Sequence, residues 1–246
     1  MLTAQRKAHL LSRLSETGRI VARDEAQALQ LSEDTIRRDL RDLAAEGKLL
    51  RVHGGALPLS PTHLPLADRR TLQSDAKERL AAIGAGLIQP GQTVILDGGT
   101  THLALIRHLP RTQVATFVTH SPVIAAALEP FAGIDVLLIG GRLFRHSMVA
   151  VGSIAAEGFA SLRADLCFIG VTGVHPDTGL TTGDAEEAAI KRRIIAQSGE
   201  TIVLATPDKI GRTSAFRIVP LDRLATLISV GPRPAGIPAG ISHLAA

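Results

Sequence analysis

The chain has 246 residues, of which 45% are hydrophobic and 20% charged, and its formal net charge is +4. That composition is typical of a globular protein with room for two unequal domains. No apolar run reaches the roughly 18 residues that cross a bilayer, and the first residues lack the apolar block of a secretion signal. We therefore expect a cytoplasmic protein without membrane contact. The single Cys167 excludes an internal disulfide, and the histidine spacing predicts neither a metal nor another cofactor.

The charge and the aromatic content of the chain indicate which kinds of binding partner are compatible with it. A positive net charge favours polyanions, but an excess of +4 is small for this length, so its distribution must decide. The chain has six Phe and neither Trp nor Tyr. Stacking on single-stranded bases therefore has few side chains available, which argues against a single-strand binder.

The pattern of apolar residues changes at a proline-containing segment. Up to residue 57, leucines recur at helical spacing, which predicts a small domain of short helices. Residues 58–70 contain Pro58, Pro61 and Pro65, which lack backbone donors and disfavour helix. We interpret this segment as a linker.

The remainder, residues 71–246, alternates β-rich runs with helix-like stretches. The strand-like runs read TVILD, VATFVT, DVLLIG, ADLCFIG, TIVLAT and LATLISV. Such alternation predicts a mostly parallel, Rossmann-like sheet covered by helices, and hence an α/β fold for the larger domain. The tail from Gly231 to Ala246 is too irregular to assign.

The segment SEDTIRRDLRDLAAEGKLLRVHGGA, residues 32–56, predicts a basic helix followed by a turn. Ser32 is a good N-cap, and two acids suit the first turn of a helix. At about 100° per residue, an apolar stripe and a basic face fall on roughly opposite sides. The stripe consists of Ile36, Leu40 and Leu43, and the basic face of Arg37, Arg38 and Arg41. Asp39 and Asp42 are expected on one flank.

A second short helix, VARDEAQALQL, precedes this one, and the LQLS joint has the length of a tight helix-turn-helix. The helix that begins at Ser32 is then the candidate reader of a major groove. On its own, the basic face is explained equally well by an ordinary surface helix. A winged helix-turn-helix requires the helix cap, the short turn between the helices and, after them, a hairpin ending in glycines. Because these three requirements are independent, together they favour DNA binding.

A short hairpin is predicted after the basic helix. Gly47 should end the helix, and KLLRV before HGGA indicates a strand entering a tight turn, with Ile20-Val21 as a candidate partner strand. Such a hairpin would be a wing beside the DNA groove. Its candidate phosphate contacts are Lys48, Arg51 and His53.

TIRRDLRDLAAEGKLLRVHGGA resembles the signature of the DeoR family of bacterial transcriptional regulators, and the resemblance extends over nearly the whole chain. It implies a winged helix-turn-helix up to about Ala56 and a sensor domain similar to ribose 5-phosphate isomerases. It also implies repression of an operon for sugar or sugar-alcohol use, with release by a phosphorylated sugar. The positions carried over as DNA contacts are Thr35, Arg37, Arg38 and Arg41, beside the candidate Ser32.

In the larger domain, one glycine-containing loop lies between an apolar strand and a helix. It consists of Asp97, Gly98, Gly99, Thr100 and Thr101. Glycines let the backbone approach a phosphate, the first N–H groups of the helix point outward, and two hydroxyls can donate. A plain strand-to-helix turn is the commoner explanation of such a loop alone. However, ligands of open α/β sheets bind outside the carboxyl ends of strands, which is where this loop falls.

Further polar clusters follow other strands and could converge with this loop. They are Thr119, His120 and Ser121, then Gly140, Gly141 and Arg142, then the GVTG segment, and finally Asp208 and Lys209. The resemblance assigns the DGGTT loop, the residues after the second strand, the GG pair and Lys209 to the effector pocket. His120 stands where relatives usually have Asn, which would change the sugar hydroxyls recognised or make binding depend on pH near neutrality.

GLTTGDAEEAAIKRRII predicts a turn followed by a helix on which Glu187 precedes Lys191 by four residues. For Lys191 we favour a surface salt bridge worth a few tenths of a kcal/mol. Glu187 lies near the helix start, where the isomerase relatives carry a catalytic carboxylate, and Asp165 begins a strand in another matching segment. Both are included among the expected pocket residues.

Three functions are compatible with these patterns. The leading one is a repressor that binds double-stranded operator DNA as a dimer or tetramer and is released by a phosphorylated sugar. The alternative is an aldose-ketose isomerase in which Glu187 moves a proton and Asp97, Asp165 and Lys209 assist. The arginine-faced module has no part in that chemistry, which favours regulation. A non-specific DNA-coating protein is disfavoured by the modest net charge.

Overall fold

The computed structural model describes residues 2–17, 19–52, 54–58, 64, 66–69 and 71–246. The chain forms two compact units, residues 1–60 and 61–246. His53, a predicted DNA contact, lies outside the described residues. No helix in the described part of the chain is long and apolar enough to cross a membrane.

The first unit is a helical domain with a small antiparallel sheet. Its elements are α1 (Thr3–Thr17), β1 (Ile20–Val21), α2 (Ala22–Leu29), α3 (Glu33–Ala45), β2 (Leu49–Val52) and β3 (Gly55–Pro58). The strands lie in the order β1-β3-β2, so β1 pairs with the second strand of the hairpin. Apolar residues of all three helices meet in one core, among them Leu10, Leu14, Ala26, Ile36 and Leu40. The predicted helix-turn-helix with its wing is thus present.

Helix α3 begins where the sequence predicts it. The Ser32 hydroxyl accepts the N–H of Thr35 at 3.2 Å and caps the helix. The predicted apolar stripe is buried. Asp39 corrects the expectation, because it does not lie on an exposed flank: it is 2% exposed and pairs with Arg6 of α1. Since it falls between members of the apolar stripe, a cation on α1 is what allows its burial.

The second unit contains five α-helices, two short 3₁₀ helices and the remaining strands of the described residues. The helices are α4 (Ser74–Ala85), α5 (Thr100–Arg107), α6 (Pro122–Leu128), α7 (Ser153–Ala160) and α8 (Ala185–Ala196). The strands are β4 (Thr93–Leu96), β5 (Ala115–Thr119), β6 (Ile134–Leu138), β7 (Arg142–Phe144), β8 (Val149–Val151), β9 (Ala164–Phe168), β10 (Gly173–His175), β11 (Gly179–Thr182), β12 (Ser198–Ala205), β13 (Phe216–Val219), β14 (Thr226–Ser229) and β15 (Ser242–Ala245).

Seven parallel strands form the main sheet in the order β15-β14-β12-β9-β4-β5-β6. All six runs predicted from the sequence are strands of this sheet, which confirms the α/β fold. The seventh strand, β15, comes from the tail that the sequence left unassigned. Alternate residues of β4 pack into different apolar clusters, Val94 into one and Ile95 into the other. The sheet is therefore covered on both faces, which explains its continuous apolar runs.

Two small antiparallel sheets complete the unit: β7 with β8, and β10-β11-β13. Their strands have only three or four residues, too few for a recognisable alternation. Strand β11 ends at Thr182, and the carboxylate of Asp184 then accepts the N–H of Glu187 at 3.0 Å to cap α8. The β10–β11 hairpin lies between β9 and α8 in the chain. Because the capping residue follows shortly after β11, this hairpin fixes where α8 begins.

Candidate functional sites

The basic face of α3 consists of Arg37, Arg38 and Arg41, and all three are exposed. Arg37 pairs with Glu33, one turn earlier, at 2.7 Å. Arg38 and Arg41 make no hydrogen bond or ion pair with any residue that the structure describes. This face presents two guanidinium groups whose donors are available to phosphates or base edges.

The hairpin of β2 and β3 depends on a close backbone approach. A Cβ on Gly55 would lie 1.8 Å from the carbonyl oxygen of Ile20, so only glycine lets β1 pair at that position. Arg51 on β2 is exposed, whereas Lys48 pairs with Glu46 at 2.7 Å. Of the predicted wing contacts, Arg51 is therefore the one that the described residues leave unpaired.

A cavity of about 280 Å³ lies at the carboxyl edge of the seven-stranded sheet. It is enclosed by the DGGTT loop, α4, the turn after β9, the start of α8 and the segment after β12. Six of the predicted effector residues line it, namely Gly98, Gly99, Thr100, Thr101, Glu187 and Lys209. Thr172, from the GVTG segment, and Asp208 also line it, as do residues that were not among the predicted pocket residues, namely Arg69, Gln73, Lys77, His102, Thr182, Asp184 and Lys191.

The DGGTT loop brings its backbone to the cavity wall. A Cβ on Gly98 would lie 2.3 Å from Cγ1 of Val149, and Gly99 has a φ of +133°, so both positions favour glycine. Helix α5 begins at Thr100, and the N–H groups of its first turn have no acceptor within the helix. The loop thus has the geometry of an anion site at a helix N-terminus.

The carboxylate of Asp97 is fully buried behind this loop. Its oxygens lie 2.5 Å from Nζ of Lys191 and 2.8 Å from Nε2 of His120, and they accept the N–H groups of Gly98 and Gly170. Burial alone would raise the pKa of Asp97, but the charge of Lys191 and the hydrogen bond of His120 hold it well below its usual range. Asp97 does not line the cavity and instead positions Lys191.

Lys191 corrects one expectation from the sequence. Its spacing favoured a surface salt bridge with Glu187, but Lys191 is 4% exposed and its ammonium pairs with Asp97. Burial opposes its charge, yet Asp97, followed by Glu187, raises the pKa of Lys191. Glu187 is also buried and lines the cavity.

Three further cations surround the cavity: Arg69, Lys77 and Lys209. Burial lowers the pKa of each of them. The charge of Arg69 lowers the pKa of both lysines further, and the pKa of Lys209 falls to about 8. The charge of Asp208 opposes this shift in both lysines, yet their pKa values stay lowered, so a bound anion would favour their charged forms.

His102 supplies a neutral group at the cavity wall. Its Nδ1 lies 2.7 Å from the carbonyl oxygen of Asp97, and burial lowers the pKa of His102 to about 4. Nδ1 of the neutral ring therefore carries the proton and donates to that carbonyl, which leaves Nε2 as an acceptor. An acceptor among the cations suits a ligand that carries hydroxyl groups as well as negative charge.

Two groups of predicted pocket residues lie elsewhere. Asp165 is at the amino end of β9, where its carboxylate accepts the N–H of Thr93 at 2.7 Å. Because the strands are parallel, that end is the opposite edge of the sheet, and the prediction for Asp165 is wrong. Gly140, Gly141 and Arg142 lead into β7 and do not line the cavity, and the side chain of Arg142 is 66% exposed.

The segment after β5 is buried behind the cavity rather than facing it. Thr119 accepts the N–H of Ser121 at 3.1 Å, and Ser121 caps α6. The two ring nitrogens of His120 lie 2.6 Å from the carbonyl oxygen of Ala150 and 2.8 Å from the carboxylate of Asp97. Both nitrogens are thus engaged by the protein, which corrects the expectation that His120 recognises sugar hydroxyls.

Some of the missed cavity residues carried a readable signal. Lys77 shares a helix face with Leu80, Ala81 and Gly84, all buried. Lys191 similarly precedes the buried pair Ile194 and Ile195. A lysine at an apolar position of a helix predicts a buried cation. Arg69 has no such signal, because it lies in an irregular segment.

Two family models match the chain, one in each compact unit. The model of the DeoR-like helix-turn-helix domain matches residues 6–62, and that of the DeoR C terminal sensor domain matches residues 72–229. The basic helix and its wing lie within the first match. The cavity lies within the second match apart from Arg69.

Curated relatives match over nearly the whole chain. The HTH-type transcriptional repressor GlcR of Bacillus subtilis is 32% identical over 93% of this chain and 89% of its own. The Glycerol-3-phosphate regulon repressor of Escherichia coli is 28% identical over 96% of this chain and 94% of its own. Among solved structures, ribose 5-phosphate isomerase A of Methanocaldococcus jannaschii matches with a TM-score of 0.42 and 17% identity, over 56% of this chain and 54% of that one. Both relatives are named as repressors.

Proposed function

The chain belongs to the DeoR family of transcriptional regulators, and from this premise we propose that it represses a carbohydrate-utilisation operon until a phosphorylated sugar binds its sensor domain. DNA binding and regulation follow from the family itself. The effector, the contact residues and the oligomeric state are the proposed part.

On the DNA side, α3 enters the major groove through its basic face. Arg38 and Arg41 are exposed and unpaired among the described residues, so they need not break an internal ion pair to bind DNA. Ser32, Thr35 and Arg37 flank them on the same helix, and Arg51 and Lys48 of the wing contact phosphates. Groove contacts give specificity, while wing contacts add affinity that falls with salt.

The observation that carries the effector assignment is the cluster of cations around the cavity. Burial lowers the pKa of Arg69, Lys77 and Lys209 beside the N-terminus of α5, and the charge of Arg69 lowers the pKa of both lysines further. A phosphate dianion relieves that repulsion and accepts the N–H groups of the DGGTT loop. The volume of about 280 Å³ is near the lower end of small-molecule sites, roughly 300 Å³.

The remaining polar groups of the cavity suit the sugar part of such an effector. Nε2 of His102 accepts a hydrogen bond from one sugar hydroxyl, and the carboxylate of Glu187 accepts a hydrogen bond from another. Acceptors are required there because a sugar presents many O–H donors that need partners once water is removed. A purely anionic ligand would leave these acceptors unused.

Release requires two states with different affinities. The effector must bind the DNA-free state more tightly, and by linkage operator DNA weakens effector binding by the same factor. Operators of helix-turn-helix proteins are commonly paired half-sites one helical turn apart. We therefore infer that the protein acts as a dimer or a tetramer.

The test begins with fluorescence anisotropy of the purified chain on the DNA upstream of its own gene, against a scrambled fragment of equal length. A preference for the native fragment, followed by its loss on addition of one member of a sugar phosphate panel, is the expected result. Equal and steeply salt-dependent binding to both fragments would contradict operator recognition at this site. A native preference that no sugar phosphate alters would contradict the effector assignment alone.

A further inference from the structure

Arg69 connects the cavity to the segment that leads back to the DNA-binding unit. The last strand of that unit, β3, ends at Pro58, and the proline-containing segment follows it. Within this segment, Leu66 is 3% exposed and its N–H donates to the carbonyl oxygen of His146 at 3.0 Å. The end of the predicted linker is therefore docked on the sensor domain, and Arg69 lies in this docked part.

The side chain of Arg69 is incompletely bonded at the cavity. Its Nε is buried and has no hydrogen-bond partner among the described residues, while one terminal nitrogen lies 3.5 Å from the carbonyl oxygen of His146. A buried guanidinium donor without an acceptor is costly. Since Arg69 lines the cavity, an anionic ligand there can supply the missing acceptor.

The backbone of Arg69 is tied to a second cavity cation. Nζ of Lys77 donates to the carbonyl oxygen of Arg69 at 2.6 Å, and Lys77 is 9% exposed on α4. A ligand that binds either Arg69 or Lys77 therefore affects the same short stretch of chain around Arg69. Arg69 and Lys77 thus link two parts of the protein. Their side chains can bind the ligand, and the backbone of Arg69 belongs to the segment that leads toward the DNA-binding unit.

We propose that Arg69 binds the anionic group of the effector and thereby orders residues 66–69 and 71–73, so that cavity occupancy is transmitted to the segment preceding the sensor domain. This rests on the proposed function of the cavity and adds its regulatory output. Without ligand, the docking of the segment lacks one charge-assisted hydrogen bond. With ligand, Nε of Arg69 has an acceptor and the segment is held more tightly.

The experiment is hydrogen exchange of the full-length chain, with and without saturating inorganic phosphate and, separately, glucose 6-phosphate. We expect amide exchange in residues 66–69 and 71–73 to slow at least about tenfold on binding, which is the effect of one hydrogen bond to a charged group. Arg69→Gln should still bind at high ligand concentration, with affinity reduced about 10- to 100-fold, and should show no slowing in this segment. Arg69→Lys retains the charge but not Nε and should show little slowing.

Arg79→Gln is the matched control, since Arg79 is exposed on α4 and does not line the cavity. It should behave as the unaltered chain does. Ligand binding without slower exchange in residues 66–69 and 71–73, or unchanged slowing in Arg69→Gln, would overturn the transmission role and leave the cavity assignment intact. Failure of the unaltered chain to bind inorganic phosphate, glucose 6-phosphate or any other member of the sugar phosphate panel would overturn both.

Discussion

The basic face of α3 and the cavity of the sensor domain both concentrate positive charge, but they hold it in opposite ways. Arg38 and Arg41 are exposed and unpaired among the described residues. Lys191 is 4% exposed and pairs with Asp97, which is itself bonded to His120 and to two backbone N–H groups. Water solvates an exposed cation, whereas a buried one requires partners. A single helix can therefore present exposed cations, whereas a buried cation requires a network of hydrogen-bond and ion-pair partners.

The other cavity cations lie between these extremes. Arg69, Lys77 and Lys209 are partly or wholly buried, and each has a lowered pKa, so their charges are held without full neutralisation. The exposed cations of α3 are accessible to a polyanion in solvent. The cavity, with a volume of about 280 Å³, admits only a small anion. Because the cations of the two regions differ in their distance from water, the two regions suit ligands of different size.

Breaking the buried pair should have the largest effect. Lys191→Met leaves the Asp97 carboxylate buried without its cation, and we expect a loss of about 3–5 kcal/mol in unfolding free energy of the sensor domain. Urea denaturation of the full chain measures it. The double variant Asp97→Asn with Lys191→Met removes both charges and should recover much of the loss. A single variant within about 0.5 kcal/mol of the unaltered chain would contradict the role of the pair.

An exposed arginine should affect binding and not stability. Arg38→Ala should weaken operator binding about 10- to 100-fold, because it removes a groove contact worth about 1–3 kcal/mol. Sugar phosphate binding and the denaturation midpoint should stay unchanged. Anisotropy on the operator and calorimetry with the sugar phosphate that releases it provide the two readouts. Equal losses in both would indicate misfolding instead of a lost contact.

The half-buried cations should make effector binding depend on pH. The pKa of Lys209 is about 8 in the unliganded protein, so above pH 8 the site must take up a proton before it can pair with a phosphate dianion. Affinity should therefore fall by up to about tenfold per pH unit above that value. Calorimetry at pH 7, 8 and 9 tests this. Lys209→Arg keeps its charge throughout and should flatten the profile; a flat profile in the unaltered chain would refute the assignment.

The smallest effect is expected from the one paired arginine of the α3 face. Glu33→Gln releases Arg37 from its exposed ion pair, at a cost to stability of about 0.3–0.5 kcal/mol. Operator affinity should rise by about two- to threefold, because a carboxylate is removed beside the DNA-binding face. Asp24→Asn on α2 is the control for loss of an exposed acid. Weaker operator binding would mean that Glu33 orients Arg37 for contact.

Much of the DNA-binding unit could be predicted from the sequence because its signals are local. The cap at Ser32, the arginine spacing and the glycine turn each act within a few residues, and the structure has all three. Asp39 is the exception. Its partner, Arg6, lies on a different helix, and periodicity within α3 alone does not reveal it.

The sensor domain shows the same division on a larger scale. The six strand runs and the DGGTT loop follow from apolar patterning and turn chemistry, since residues close in sequence decide them. The prediction for Asp165 rests on the resemblance to isomerases, although a parallel sheet already places the start of a strand at the edge opposite the carboxyl ends. The clusters after β5 and β6 follow strands as predicted, but neither lines the cavity.

The sequence by itself determined the fold class, the basic helix α3 and the glycine loop at the cavity, because hydrophobic period, capping and glycine conformation are short-range properties. Only the tertiary structure decided which charges are buried together. Lys191 and Asp97 are 94 residues apart, and Arg69 reaches the cavity from the predicted linker. Such pairings are settled by the cost of burying a charge without a partner, which depends on everything packed around it.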